Sequence, residues 1–162
     1  MFNFLKKKTH IDNNLYAPTT GEIINLSQVS DPVFAKKTMG DGFGLKPTSD
    51  KVVSPVVGTV TMIAPTFHAI GFKMTNGLEV LVHLGVDTVN LKGKPFEVKT
   101  KVGKKVRPTD TVMLMDRKQI KNAGLDDVIA VVFTNTKDKL GNLDFHIGST
   151  EASNKIGQVK AK

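Results

Sequence analysis

Glycine and proline cut this chain into short pieces, and that punctuation constrains the fold more than any other feature. Fourteen glycines and seven prolines recur along 162 residues, and helical periodicity is scarce between them. The intervening runs are short and either apolar or alternating: 22–26, 52–53, 56–63, 69–74, 78–84, 96–98, 111–115, 128–134 and 143–147. Side chains alternate across a strand, so a period-two run buries one face and leaves the other wet. Many such runs between turn signals predict an all-β sandwich or barrel. Two stretches depart from the pattern. Residues 116–123 read as a helix, with Asp116 as N-cap and Gly124 as its stop, and a single helical turn is expected over 32–37 after Asp31.

A weak internal echo adds to this. Ala17-Pro18-Thr19-Thr20-Gly21-Glu22-Ile23 and Ser54-Pro55-Val56-Val57-Gly58-Thr59-Val60 share a small-Pro-x-x-Gly-x-aliphatic pattern 37 residues apart. Two copies predict pseudo-symmetric halves, since a solenoid needs three or more. Residues 1–14 read as a flexible, polar lead-in, and 15–162 as one domain with enough chain for a real core.

Several function classes are excluded or disfavoured. The chain has no cysteine, so disulfides, thiolate chemistry and a zinc ribbon are out, and a cytoplasmic setting fits. No apolar run approaches the ~18 residues that span a bilayer. Phe2, Phe4 and Leu5 precede Lys6–Lys8, the reverse of an export signal, so the terminus is expected to make at most weak contact with a membrane surface. The net charge of +8 favours anionic partners, and its densest source is the lysine-rich stretch 92–107. Nucleic acid is not expected there, because Phe96 is the stretch's one aromatic for bases to stack on. Met39-Gly40-Asp41-Gly42-Phe43-Gly44 has the outward look of a phosphate loop but reads as a turn, for want of a strand before it and a helix after it.

Chemistry concentrates on two of the four histidines. His10 falls in the polar lead-in and His146 has no second polar anchor. His83 ends an alternating strand (Val80 and Val82 against Leu81 and His83) before Gly85, and Asp87 follows four residues on. His68 sits 15 residues upstream, with Thr66 two residues before it, so both side chains can share one face of a strand. Metal binding by such a pair would need a third ligand, such as Asp31 or Asp87, which the spacing does not support. Hydrolysis lacks a Gly-x-Ser-x-Gly nucleophile. A third chemistry open to such a pair is phosphoryl acceptance on a ring nitrogen. A neutral imidazole is nucleophilic at pH 7, its partner can hold phosphoryl oxygens, and carbonyls of a glycine turn can orient the ring.

Six ordered segments carry a resemblance to the glucose-type enzyme IIA of the bacterial phosphoenolpyruvate:sugar phosphotransferase system. They are Tyr16-Ala17-Pro18 with Gly21; Asp31-Pro32-Val33-Phe34-Ala35; Met39-Gly40-Asp41-Gly42 with Lys46-Pro47; Ser54-Pro55-Val56-Val57-Gly58; Pro65-Thr66 with His68-Ala69; and His83-Leu84-Gly85-Val86-Asp87-Thr88-Val89 with Leu91 and Gly93. The resemblance implies an antiparallel β-sandwich or flattened barrel of two related halves. It implies that His83 accepts a phosphoryl group from HPr and passes it to a cysteine of enzyme IIB, with His68 stabilising that group and no cofactor or metal. Thr66 would support the histidine network, the Gly85 carbonyl would orient His83, and Asp31 and Asp87 would flank the site. Val33, Phe34, Met39, Leu81 and Val89 are expected to form an apolar rim that excludes water and meets partners. With no cysteine and no spanning helix, the IIB–IIC permease is expected on a separate polypeptide. The alternative is a regulatory module of the same fold that docks permeases or metabolic enzymes according to its phosphorylation state. The family is expected to be acidic or near neutral, so the basic 92–107 stretch is a departure.

Overall fold

Fourteen strands form the framework of the computed structural model, which describes residues 10–162. In chain order they are β1 Asn14–Tyr16, β2 Gly21–Asn25, β3 Gly42–Pro47, β4 Lys51–Val53, β5 Gly58–Ile63, β6 Ala69–Met74, β7 Glu79–Leu84, β8 Phe96–Val98, β9 Lys105–Val106, β10 Thr111–Met115, β11 Ile129–Phe133, β12 Leu140–Phe145, β13 Gly148–Thr150 and β14 Lys155–Ala161. Three short helices interrupt them: α1 Pro32–Ala35, α2 Arg117–Asn122 and α3 Thr136–Lys139. All strand pairs are antiparallel. One sheet of eight runs β13-β2-β3-β11-β7-β6-β5-β9, and two sheets of three run β1-β14-β12 and β4-β10-β8. A single apolar core joins all three, drawing Phe43, Leu45, Val82 and Phe72 from the large sheet and Leu15, Ile156, Val52 and Met113 from the small ones. This is the antiparallel β-sandwich expected from the sequence.

The two halves are as real as the echo implied. The large sheet is a palindrome: β13, β2, β3 and β11 mirror β9, β5, β6 and β7. The repeated motif sits at the crossing between them. Tyr16 N–H donates to the Pro55 carbonyl at 2.9 Å, and Val53 N–H to the Pro18 carbonyl at 2.7 Å, so each copy's chain entering its Pro-x-x-Gly turn is held by the other copy. The glycines do the same job in both. A Cβ on Gly21 would overlap the Lys46 carbonyl of β3, and one on Gly58 the Lys73 carbonyl of β6.

Both predicted helical segments form at their capping aspartates. Asp116 accepts from Gln119 N–H at 3.1 Å, and Asp31 accepts from Val33 N–H at 3.0 Å with Pro32 opening α1. The stretch 39–44 is a turn only as far as Asp41. Gly42 starts β3, a strand the sequence reading misses, because β11 lies so close that a Cβ on Gly42 would overlap the Val131 carbonyl. The lead-in also ends earlier than expected. Asp12 N–H donates to Thr75 Oγ1 at 2.8 Å, and the Asn13 carbonyl accepts from Val159 N–H at 2.8 Å. The predicted membrane contact through Phe2, Phe4, Leu5 and the following lysines lies outside the described residues. Among the described residues no helix is long and apolar enough to cross a membrane.

Candidate functional site

The outer face of the large sheet carries the site. Along β7, Val80, Val82 and Leu84 point into the core, which turns Leu81 and His83 outward. His83 lies in register with Ala130 of β11 on one side and Ala69 of β6 on the other. Two small neighbours leave room for an imidazole on an otherwise close-packed sheet. Phe34 of α1 covers it from above, with ring centroids 4.7 Å apart. Phe34 is held by a second, smaller apolar cluster on this face, formed with Ile24, Leu26, Val29, Val128, Ala130 and Val132.

His68 reaches the same place by a different route from the one expected. It lies in the turn just before β6 rather than in a strand, after Phe67, whose φ is +62°. A backbone bond from Leu84 N–H to the His68 carbonyl, 2.8 Å, locks that turn against the end of β7. The two imidazoles meet edge to face with centroids 5.2 Å apart. Thr66 Oγ1 lies 2.6 Å from His68 Nδ1, the contact the spacing predicts, supplied by turn geometry.

The loop after β7 runs beside the ring of His83. Gly85 has φ +82° and Asp87 φ +60°, both left-handed. Thr88, fully buried, closes the turn by donating its hydroxyl to the Leu84 carbonyl at 2.5 Å. Gly85, two residues after His83, presents its backbone to the imidazole. Burial, and then the adjacent His68, pull the His83 pKa below the usual 6.5. The Gly85 backbone and the charges of Asp31 and Asp87 push the other way without cancelling it. Burial also lowers His68. Both rings are therefore neutral at pH 7.

The expected rim divides. Val33, Met39 and Val89 expose 46%, 39% and 46% of their surface, large values for apolar side chains. Leu81 is half-buried against the small cluster. Phe34 differs from them in burial: at 5% exposure it is covered, and it packs on His83 instead of facing solvent. The cluster above β2 and β11 claims the ring. Sequence reasoning missed Phe67, an exposed aromatic beside His68 that lies over Gly93, and gave no role to Thr88. Phe67 carried no periodic signal, because its position depends on a left-handed turn residue. Among the described residues no group of three or more His, Asp or Glu side chains is arranged to hold a metal.

Fold and site together define an all-β protein with a pair of neutral imidazoles on an apolar face. Comparison with known proteins assigns that class. The family model for the phosphoenolpyruvate-dependent sugar phosphotransferase system, EIIA 1, matches residues 13–139. The glucose-specific EIIA component of Staphylococcus epidermidis is 44% identical over 132 residues, 80% of this chain and 80% of that protein. The one from Staphylococcus aureus strain COL is 45% identical over 130 residues, 80% and 78%. A glucose-specific EIICBA component of Streptococcus pneumoniae is 48% identical over 125 residues, 77% of this chain and 17% of that longer protein. The solved structure of glucose permease IIA from Mycoplasma capricolum superposes with a TM-score of 0.83 at 30% identity, covering 97% of this chain and 98% of the other. The chain belongs to the EIIA 1 family of the phosphoenolpyruvate-dependent sugar phosphotransferase system. It is a phosphocarrier, a phosphotransferase component of that system.

Proposed function

We propose that His83 carries the phosphoryl group, taking it from phospho-HPr and giving it to a cysteine of enzyme IIB. The observation that carries this reading is the pair of imidazoles meeting at 5.2 Å, with Phe34 packed on His83 and burial lowering its pKa so that the ring is a neutral nucleophile. The free lone pair attacks phosphorus as the donor's bond to phosphorus breaks, and the reverse exchange passes the group on. Little covalent machinery is needed, since phosphoryl transfer depends on positioning and charge stabilisation. His68 supplies that stabilisation. If Thr66 donates to Nδ1, His68 bears its proton on Nε2 and can donate it to a phosphoryl oxygen. Gly85 orients His83, and Thr88 holds Gly85 in place.

Val33, Met39, Val89 and Phe67 supply apolar docking area around the imidazoles, and Asp31 and Asp87 add charge for basic residues of partners. HPr and IIB use this one face in turn. The receiving cysteine lies outside these 162 residues, which contain none, and we take it to belong to a separate IIB–IIC permease in a glucose-type system, with this carrier in the cytoplasm. The same rim suits regulated permeases or enzymes as further partners.

The test is phosphorylation from phosphoenolpyruvate with enzyme I and HPr. The product is an acid-labile, base-stable phosphate. His83→Gln abolishes it. His68→Gln still accepts the group but delivers it poorly to IIB. Normal labelling of His83→Gln overturns the assignment.

A further inference from the structure

The lysine-rich stretch 92–107 is not one basic face once folded. Lys99 pairs with Glu97 at 2.6 Å, whereas Lys104, Lys105 and Arg107 line a groove along β9, the edge of the large sheet, with Lys73 of β6 opposite. The groove holds about 800 Å³, and Met74 and Val106, both buried, form its floor. It carries one carboxylate, Asp110, which is 3.8 Å from Arg107.

The pseudo-symmetry provides an internal control. The related groove along β13, about 690 Å³, is built from equivalent positions. Strand register matches Lys73 with Lys46, Lys105 with Ser149 and Val106 with Thr150, which puts Glu151 opposite Arg107. That copy carries Lys46 against Glu22 and Glu151. The backbone therefore makes the groove twice, and only one copy is basic. Its charge does not come from the fold.

We propose that the β9 groove is a second docking site, which takes an extended acidic segment of a partner protein. The cations are spread along the groove on two strands and a loop, suited to a chain with several carboxylates. They do not converge on one point as a site for a single phosphate would. No aromatic ring lines the groove, which disfavours stacked bases. Its apolar floor suits the alternate side chains of an added strand. Met74 is six residues from His68, about 20 Å at ~3.3 Å per residue, so a segment held there leaves the imidazoles free.

A fluorescein-labelled ten-residue peptide of alternating Glu and Val, its Gln-for-Glu counterpart, a dT10 oligonucleotide and vesicles of phosphatidylcholine with 30% phosphatidylserine serve as probes. The expected result is binding of the Glu peptide alone, with NMR shifts at Thr59, Lys73 and Val106 and none at Glu22, Lys46 and Thr150. Lys73→Gln/Lys105→Gln/Arg107→Gln weakens it at least tenfold while phosphorylation on His83 continues at the wild-type rate. No binding, equal shifts in both grooves, equal affinity for the triple variant, or tighter binding of the oligonucleotide or vesicles overturns the proposal.

Discussion

Replacing Gly85 by alanine tests whether the loop after β7 works as the structure implies. Two costs can be separated. At φ +82° a residue with a Cβ sits in the left-handed region, worth about 1–2 kcal/mol. The new methyl also overlaps Cγ2 of buried Thr88 and comes within 3.0 Å of the Asp126 carbonyl, an overpacking cost of about 1–3 kcal/mol. Gly85→Ala should therefore lose about 2–5 kcal/mol. Thr88→Ser removes the offending methyl but keeps the hydroxyl that closes on the Leu84 carbonyl, at a cost of about 1 kcal/mol. In the double variant the main overlap is gone, so it should be at least about 1 kcal/mol more stable than the two single losses predict. Urea denaturation of all four proteins measures this. The activity readout moves with it: Gly85→Ala displaces the carbonyl that orients His83 and slows phosphoryl acceptance, and Thr88→Ser restores part of the rate. Additivity within about 0.5 kcal/mol would refute the contact, and an unchanged rate in Gly85→Ala would refute the orienting role.

Three further outcomes follow from the site and its surroundings. Because His83 and His68 titrate below 6.5, the unfolded chain binds more protons between that value and the folded pKa values. Stability is therefore full above pH 6.5, falls as pH drops through 6.5, and stops falling below the folded values; the dependence should shrink in His83→Gln, and an NMR midpoint for His83 at or above 6.5 contradicts the burial argument. Phe34→Ala empties the small cluster above β2 and β11, costing about 3–5 kcal/mol, and wets His83 so that its titration moves up toward 6.5; an unmoved midpoint means Phe34 does not shield the ring. Asp127 is 7% exposed and bonds Arg117 Nε at 3.0 Å, so Asp127→Asn should cost about 2 kcal/mol by thermal or urea unfolding without changing phosphorylation, and a loss of labelling at full stability would link this pair to the site.

The architecture was legible because strand signals are local. Alternation in 78–84 requires only the neighbouring residues, and it marked β7 with its two faces; the short apolar run 69–74 likewise marked β6. Capping aspartates are local too, so α2 and α1 appeared where Asp116 and Asp31 predicted them. β3 was hidden because its glycines are demanded by another strand: Gly42 is small for the sake of Val131, 89 residues away in sequence. β14 was hidden for a related reason. Gly157 lies so close to the Asp144 carbonyl of β12 that a Cβ there would overlap it, and the glycine breaks the alternation a strand would show.

The sequence by itself determined the class of fold, the duplicated Pro-x-x-Gly turns and the two histidines worth attention, since each is written in residue types and spacings along a few positions. Only the tertiary structure decided what those residues do to one another. The backbone bond from Leu84 to His68, the meeting of the His68 and His83 rings, and Phe34 over the ring of His83 join separate segments of the chain. It also set Lys99 in an ion pair and Lys104, Lys105 and Arg107 along a groove, and showed that the groove's pseudo-symmetric twin lacks the charge. A linear sequence records charge and polarity; burial and facing, which set a pKa or define a surface, exist only after strands from different parts of the chain have paired.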